Sequence, residues 1–200
     1  MRKRITHLRR KIISLFAAAA VVTIGLITLG VTPAMAAMAA PALGNGEMCM
    51  FDAPNGAPIA PGYSAGHVGW AFEIGSSGRW TYGSTETSSG NPSDTWIQSG
   101  SLSNMLTAFR VARGGRYYTK YRCHATPDSS VGAATTQANL TKYNGYNGLF
   151  NNCLTKAISI YNAYWVSSVL GNMGNGWATP PNSYFNNLGF NYGWGPVAAL

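Results

Sequence analysis

The sequence predicts an α+β domain in which an antiparallel hairpin precedes a group of helices. Residues 67–74 (HVGWAFEI) are rich in Val, Trp, Phe and Ile, and the turn 75–78 (GSSG) separates them from a return strand at 79–82 (RWTY). Over 153–170, apolar residues recur at spacings of three and four, which predicts a helix. A hairpin followed by helices is typical of an α+β fold rather than of a βαβ repeat.

The other segments give weaker signals. Residues 37–62 are rich in Pro and Gly without a clear period, and we expect an irregular entry there. Residues 95–109 suggest a short helix, and 108–123 suggests strand material interrupted by two glycines. Asp128 is placed to cap a helix over 129–142. The aromatic tail from Trp177 onward is expected to form loops.

Residues 1–36 have the pattern of a signal peptide. A basic start precedes an apolar stretch at 12–31, and Ala34-Met35-Ala36 fits an A-x-A cleavage site. We therefore expect a secreted protein, extracellular or in the cell envelope, with a single domain at 37–200. The apolar stretch is long for a signal peptide, so an uncleaved membrane anchor is the alternative.

The charge of the chain is concentrated in that leader. Six of the 14 Lys and Arg residues lie in its basic start, whereas all six acidic residues follow position 36. The mature chain therefore has eight basic against six acidic residues, and its charge gives no reason to expect a nucleic-acid partner. We expect a monomer with no membrane association after cleavage.

Three cysteines are an odd number for an oxidising compartment. Cys49 and Cys123 lie in loop or strand contexts and are the natural disulfide pair, although a fully reduced state is the alternative. Cys153 follows two asparagines and begins the best-predicted helix. A cysteine at a helix N-terminus is biased toward thiolate by the helix dipole, so Cys153 is the candidate nucleophile.

The partner of Cys153 has to come from two histidines that follow the leader. His124 adjoins Cys123 in a predicted loop, whereas His67 begins a predicted strand between Gly66 and Gly69. A strand holds a general base rigidly, and a histidine beside a cysteine activates the thiol. The sequence therefore predicts a Cys153–His67 dyad.

The segments GHVGWAFEIGSSGRWTYGSTE and GYNGLFNNCLTKA resemble the circularly permuted branch of the papain-like NlpC-type cysteine hydrolases, which includes the lecithin:retinol acyltransferase-like proteins. His67, the hairpin, Tyr143 or Tyr146, and Asn152-Cys153 match the family pattern in order. The resemblance covers about 63–86 and 140–170. It implies a papain-like fold, with an antiparallel sheet packed against helices and the histidine strand before the cysteine helix.

One position departs from the family pattern. Many relatives have a second histidine on the return strand, where this chain has Tyr82 with Glu86 just beyond. A phenol or a carboxylate there would accept the His67 Nδ1–H and fix the tautomer. The oxyanion would be held by the Cys153 backbone N–H, with Asn152 as a further candidate donor.

Together the resemblance and the leader predict a secreted thiol hydrolase, of the cysteine peptidase or amidase kind, that cleaves an amide bond in cell-wall peptides. Its partner would be a peptide or peptidoglycan-like substrate. We expect no metal and no cofactor, because the chain has no CxxC or HExxH motif and its carboxylates are dispersed. The alternatives are an acyl-ester or lipid thiol hydrolase or acyltransferase, and a non-enzymatic wall- or carbohydrate-binding module.

The cysteine assignment predicts one disulfide and one free thiol in the secreted protein. Intact mass with and without reductant should differ by one bridge, and alkylation without reductant should label Cys153 alone. A bridge from Cys153 to Cys49 or to Cys123 would contradict the assignment.

Overall fold

A six-stranded antiparallel sheet, in the strand order β6-β5-β4-β1-β7-β8, is the centre of the structure. Its strands are β1 (Gly46–Ala53), β4 (His67–Glu73), β5 (Arg79–Thr85), β6 (Thr95–Ser101), β7 (Lys120–Thr126) and β8 (Ala198–Ala199). A separate two-stranded ribbon pairs β2 (Pro58–Ala60) with β3 (Tyr63–Ser64).

This computed structural model describes residues 46–86, 94–111, 117–127, 129–165 and 173–200, all of which belong to one compact unit. The expected signal peptide (1–36) and the expected helix cap Asp128 lie outside these ranges.

Within the described ranges, four helices cover the two faces of the sheet. They are α1 (Leu102–Arg110), α2 (Val131–Leu140), α3 (Cys153–Tyr164) and α4 (Pro181–Tyr192). Buried side chains of α2, α3 and α4 share one hydrophobic cluster with the sheet, and those of α1 belong to a second cluster. The prediction of an α+β fold with an antiparallel sheet packed against helices is therefore confirmed at this level.

Strand β1 lies in the middle of the sheet, and all eight of its residues are buried. Successive side chains alternate between the two clusters, so Met48 and Met50 face one and Cys49 and Phe51 the other. Because both faces are covered, the strand lacks the polar–apolar alternation that marks a half-exposed strand. The expectation of an irregular entry at 37–62 is wrong for this stretch.

Two other segments differ from expectation. The proposed helix at 95–109 is in fact β6 followed by α1, which begins after the N-cap Ser101. The tail contains α4, which starts with Pro181 at its first turn and ends at Gly193 in the left-handed conformation. Proline at a helix start and glycine at its end are the usual boundary residues.

Helix α3 is fixed on the sheet by two buried tyrosines. The Tyr161 hydroxyl donates to the Cys49 carbonyl oxygen, and the Tyr164 hydroxyl donates to the Glu73 carbonyl oxygen, both at 2.7 Å. Buried hydroxyls without partners would be costly, so these bonds select one placement of the helix. The first residue of α3 is thereby held near the start of β4. Among the described helices, none is long and apolar enough to cross a membrane.

The buried carboxyl group of Glu47 on β1 predicts a pH-dependent stability. Burial, and then the nearby Glu73, raise its pKa from 4.5 to about 7. A raised folded-state pKa means that folding favours the protonated form, so this contribution is complete below pH 4.5 and is lost as pH rises through about 7. Replacing Glu47 by Gln should increase the free energy of unfolding at pH 8 by roughly 1–3 kcal/mol and leave it little changed at pH 4.5.

Urea titrations of both proteins at the two pH values measure this difference. An equal effect of Glu47→Gln at both pH values would contradict the prediction, because a packing change does not depend on protonation.

Candidate active site

Cys153 is the first residue of α3, and a capping box fixes the start of that helix. Asn152 Oδ1 accepts the backbone N–H groups of Leu154 and Thr155 at 3.0 and 3.1 Å. Thr155 Oγ1 accepts the Asn152 backbone N–H at 2.8 Å in return. Cys153 therefore lies at the positive end of the helix dipole, which favours a thiolate there.

His67 is the first residue of β4, at a place where the pairing of β4 with β5 has ended. The register between these strands runs from Trp70 opposite Gly83 to Glu73 opposite Trp80. His67 and Ser84 lie beyond the last of these pairs, and Ser84 Oγ donates to the Val68 carbonyl oxygen at 3.1 Å. This end of the strand pair is where the start of α3 meets the sheet.

The Cys153 thiol and the His67 side chain are both buried, at 4 % and 2 % exposed, and each shifts the pKa of the other. Burial alone would raise the pKa of Cys153, but the charge and hydrogen bond of His67 outweigh it and the pKa is lowered. Burial alone would lower the pKa of His67, but the Cys153 thiolate and then Glu86 raise it to about 9. Each group therefore stabilises the charged form of the other, the thiolate of Cys153 and the imidazolium of His67.

Two polar side chains lie at the other ring nitrogen of His67. Nε2 is 3.0 Å from Ser84 Oγ and 3.4 Å from Glu86 Oε2. An Nε2–H group placed there leaves Nδ1 to face the thiol. The expectation that the third member would accept the Nδ1–H is therefore corrected, because its partners lie at Nε2.

Glu86 is itself held in a buried hydrogen-bond network. Its Oε1 atom accepts the Trp96 indole N–H at 2.5 Å and the Tyr118 hydroxyl at 3.3 Å. Tyr118 also donates to Ser84 Oγ at 2.9 Å. Burial, and then the Glu86 carboxylate, raise the pKa of Tyr118 well above its ordinary value, so its hydroxyl remains a donor. The carboxylate is thus oriented from two sides while it faces His67.

Of the two candidates for the third member, the structure places Glu86 beside His67. Tyr82 lies opposite Ala71, four residues along β4 from His67. At about 3.3 Å per residue, that offset is roughly 13 Å. The Tyr82 ring packs near Trp96 and Phe109 in the second hydrophobic cluster.

Sequence reasoning missed Ser84, Trp96 and Tyr118. Ser84 precedes Glu86 by two residues, so strand alternation could have placed both on one face. Tyr118 lies 34 residues from Ser84 along the chain, and no local pattern links them.

The surroundings of the sulfur include two further donors. The Val68 backbone N–H and the Tyr146 hydroxyl both hydrogen-bond to Cys153, and both lower its pKa. Tyr143, the other tyrosine of the family-like loop, is largely exposed. Tyr146 is therefore the member of that pair that reaches the nucleophile.

Asn152 is the candidate oxyanion donor, but both its side-chain oxygen and its side-chain nitrogen already have hydrogen-bond partners. Besides the cap bonds of its oxygen, its Nδ2 donates to the Gly148 carbonyl oxygen at 3.0 Å. The structure thus places this side chain at the junction of the preceding loop with α3, where it positions Cys153.

Cys49 and Cys123 form a disulfide between directly opposed residues of β1 and β7, and Cys153 is free. Within the described ranges, Glu47 and these two cysteines form the one group with the proximity of metal ligands. The disulfide removes both thiolates from that group, so it does not offer a metal site in the oxidised protein.

Comparisons with protein-family models, with curated proteins and with solved structures find no match to this chain.

The thiolate–imidazolium pair predicts a Cys153 thiol that is alkylated rapidly at mildly acidic pH. At pH 6 an ordinary thiol, with a pKa near 8.5, is less than about 1 % thiolate. His67→Ala should slow iodoacetamide labelling at pH 6 by at least about tenfold, and Glu86→Gln by a smaller factor, because each removes support for the charged pair. Stopped labelling reactions followed by mass spectrometry measure these rates.

Glu73→Gln is the matched control, because Glu73 is a buried carboxyl at the opposite end of β4. Labelling of the wild type no faster than that of His67→Ala at pH 6 would show that the pair is not charged in solution.

Proposed function

We propose that this protein is a secreted thiol hydrolase that cleaves an amide bond in cell-wall peptides, on a papain-like NlpC-type domain of permuted order. The observation that supports this most directly is the placement of the buried His67 ring between the Cys153 thiol and the Ser84–Glu86 pair. A nucleophile, a base and a group that orients the base are the parts that acyl transfer requires.

The reaction begins with the Cys153 thiolate attacking the carbonyl carbon of the scissile amide. As the tetrahedral intermediate collapses, the C–N bond breaks and His67 donates its proton to the departing amine, leaving a thioester on Cys153. The neutral His67 then takes a proton from water, whose oxygen attacks the thioester carbonyl. The C–S bond breaks, the acid product leaves, and the thiolate–imidazolium pair is restored.

Two donors are placed to stabilise the oxyanion. Cys153 is the first residue of α3, so its backbone N–H has no acceptor within the helix. The Tyr146 hydroxyl lowers the pKa of the Cys153 thiol by hydrogen bonding, and it would donate to an oxygen bound next to the sulfur. We assign the oxyanion to these two groups, and we assign Asn152 the role of fixing the helix start.

Ser84 and Glu86 act on the reaction through His67. Contacts at Nε2 hold the ring in one orientation, and the Glu86 carboxylate stabilises the imidazolium that must survive until the leaving amine is protonated. Tyr118 and Trp96 hold that carboxylate in place. Both Ser84 and Glu86 are positioning residues in this scheme.

The substrate class follows from the expected export and from the family resemblance. An enzyme exported to the cell envelope meets cross-linked peptides there, and peptide amides suit a cysteine nucleophile whose base can protonate an amine. An alkoxide leaves more readily than an amine anion, so an ester depends less on a general acid, and the buried, charge-stabilised His67 favours the amide over the acyl-ester alternative.

Replacing Cys153 by Ala tests this function. The purified wild type should release soluble peptides from isolated bacterial cell walls, and Cys153→Ala should lower that rate at least about 10³-fold because the covalent step is lost. Ser84→Ala should reduce the rate by about tenfold while leaving the product pattern unchanged. Chromatography of the digests with mass spectrometry identifies the new amine and acid termini.

Phe190→Ala is a control, since the Phe190 side chain is exposed on α4 far along the chain from the dyad. Equal wall degradation by Cys153→Ala and the wild type would refute the proposal. Turnover of acyl esters without any amide cleavage would replace it with the ester alternative.

A further inference from the structure

A cavity of about 270 Å³ lies against the polar side of α3, and neither Cys153 nor His67 lines it. Thr155, Lys156, Ser159 and Asn162 of that helix form its floor, and two loops form its walls. One loop contributes Asn144, Phe150 and Asn151, and the other contributes Gly174, Asn175 and Trp177. None of the residues assigned to the proposed reaction lines this cavity.

Two exposed aromatic rings stand at the cavity. Phe150 and Trp177 are each 55 % exposed, with ring centroids 5.7 Å apart and planes at 83°. Large aromatic side chains that are half exposed are costly to leave in water, and a pair at a cavity marks a surface suited to a ligand. The perpendicular arrangement is the edge-to-face contact that aromatic pairs favour.

The loop that holds Phe150 is rigid. Asn147 Oδ1 accepts three successive backbone N–H groups, from residues 149, 150 and 151, at 3.2, 2.7 and 3.2 Å. Asn151 Nδ2 donates to the Asn144 carbonyl oxygen at 2.5 Å. These hydrogen bonds fix the turn that carries Phe150, so less conformational entropy is lost there when a ligand binds.

The loop that holds Trp177 contains one residue, Ala178, in an unfavourable backbone conformation. Gly174 and Gly176 have φ of 67°, and Ala178 has φ of 51°. Residues other than glycine rarely occupy this region of backbone conformation. Ala178 N–H donates to the Leu149 carbonyl oxygen at 2.9 Å, which joins the two loops. Strained conformations of this kind persist where the surrounding structure holds them, and they concentrate at ligand sites.

The polar lining is neutral except for one lysine. The Asn and Gln amides offer both donors and acceptors, and the Ser and Thr hydroxyls do the same. Lys156 gives two of its N–H groups to the Thr141 carbonyl oxygen and Asn144 Oδ1, at 2.6 and 2.7 Å, and an ammonium has three. No carboxylate is among the described residues that line the cavity.

We propose that this cavity binds a pyranose ring of a neutral glycan. A pyranose has an apolar C–H face that suits the exposed ring of Trp177, and its rim of hydroxyls both donates and accepts, as the amide lining does. A cation would need a carboxylate, and none is among the described lining residues; an anion would find only Lys156, which gives two of its three N–H groups to protein oxygens. The dimensions agree, because the cavity is slightly smaller than the usual range for drug-sized ligands, which favours one ring over a chain segment.

This binding does not depend on the proposed hydrolysis. The cavity lies along the same helix that begins with Cys153, so a glycan held there would keep a substrate attached to it close to the nucleophile. Its loss would nevertheless leave the thiolate–imidazolium pair intact, and the two proposals can fail separately.

The test uses the Cys153→Ala protein, which keeps the cavity and removes turnover. The probes are a trimer of N-acetylglucosamine, a trimer of glucose and a short peptide of wall composition, each titrated while tryptophan fluorescence and amide chemical shifts are recorded. Either trisaccharide should saturate the protein and shift the amide resonances of residues 149–151 and 175–178. The comparison of the two sugars shows whether the N-acetyl group is recognised.

Trp177→Ala should weaken that binding by about tenfold or more, since loss of one ring stack costs at least about 1.4 kcal/mol. Trp177→Phe should recover most of the affinity, because the apolar face is restored. Phe190→Ala, which removes a ring that is 95 % exposed elsewhere, should have no effect. Saturation by the peptide alone, no saturation by either sugar, or equal affinity in Trp177→Ala would each overturn the proposal.

Discussion

The contact between the capped start of α3 and the first residues of β4 is the interaction on which the site depends. Asn152 fixes where the helix begins, and the Val68 backbone N–H bonds to the sulfur of the first helical residue, Cys153. The Tyr161 and Tyr164 hydroxyls fix the remainder of the helix on the sheet. Because the pairing of β4 with β5 ends at Trp70, the helix start can approach backbone groups that an extended ladder would occupy.

A buried charged pair needs compensation, since transferring two charges out of water costs several kcal/mol per ion. The site supplies it as a chain of contacts: Trp96 and Tyr118 donate to Glu86, while His67 Nε2 faces Ser84 Oγ at hydrogen-bond distance and the Glu86 carboxylate as an ion pair. In such a low-dielectric network each bond polarises the next, so a complete network stabilises the charge far better than a partial one. This explains why residues from β5, β6 and the segment before β7 all converge on one imidazole.

The dyad was predictable because its signals are local. Cys153 stands behind two asparagines at a strong helical pattern, and His67 opens a recognisable hairpin. Local patterns could not decide between Tyr82 and Glu86, because that choice depends on where the β4–β5 register ends. Tyr118 was not predictable for a related reason: it reaches Ser84 across 34 residues of chain.

As for the site, only those parts of the fold that have local sequence signals were predictable. The hairpin and helix α3 could be predicted from the periodicity of their apolar residues. Strand β1 could not, although it joins the two halves of the sheet. A strand covered on both faces has no alternation, and GEMCMFDA is short enough to be mistaken for an irregular segment. The same difficulty hid α4, whose asparagine-rich sequence has weak helical preference and depends on the packing of Tyr184, Phe185 and Leu188.

Helix α3 packs against the sheet, lines the cavity and presents the Cys153 thiol, and a different part of the helix serves each role. Leu154, Ala157 and Tyr161 bury one side against the sheet, while Thr155, Ser159 and Asn162 leave the other side polar at the cavity. The N-terminus presents the thiol. Lys156 lies between these regions, and burial lowers its pKa to about 8 although the Cys153 thiolate raises it. A cation buried there would be unfavourable without the oxygens of Thr141 and Asn144. Its two bonds join the loop that follows α2 to α3, so the same lysine fixes the cavity floor and the approach to the nucleophile.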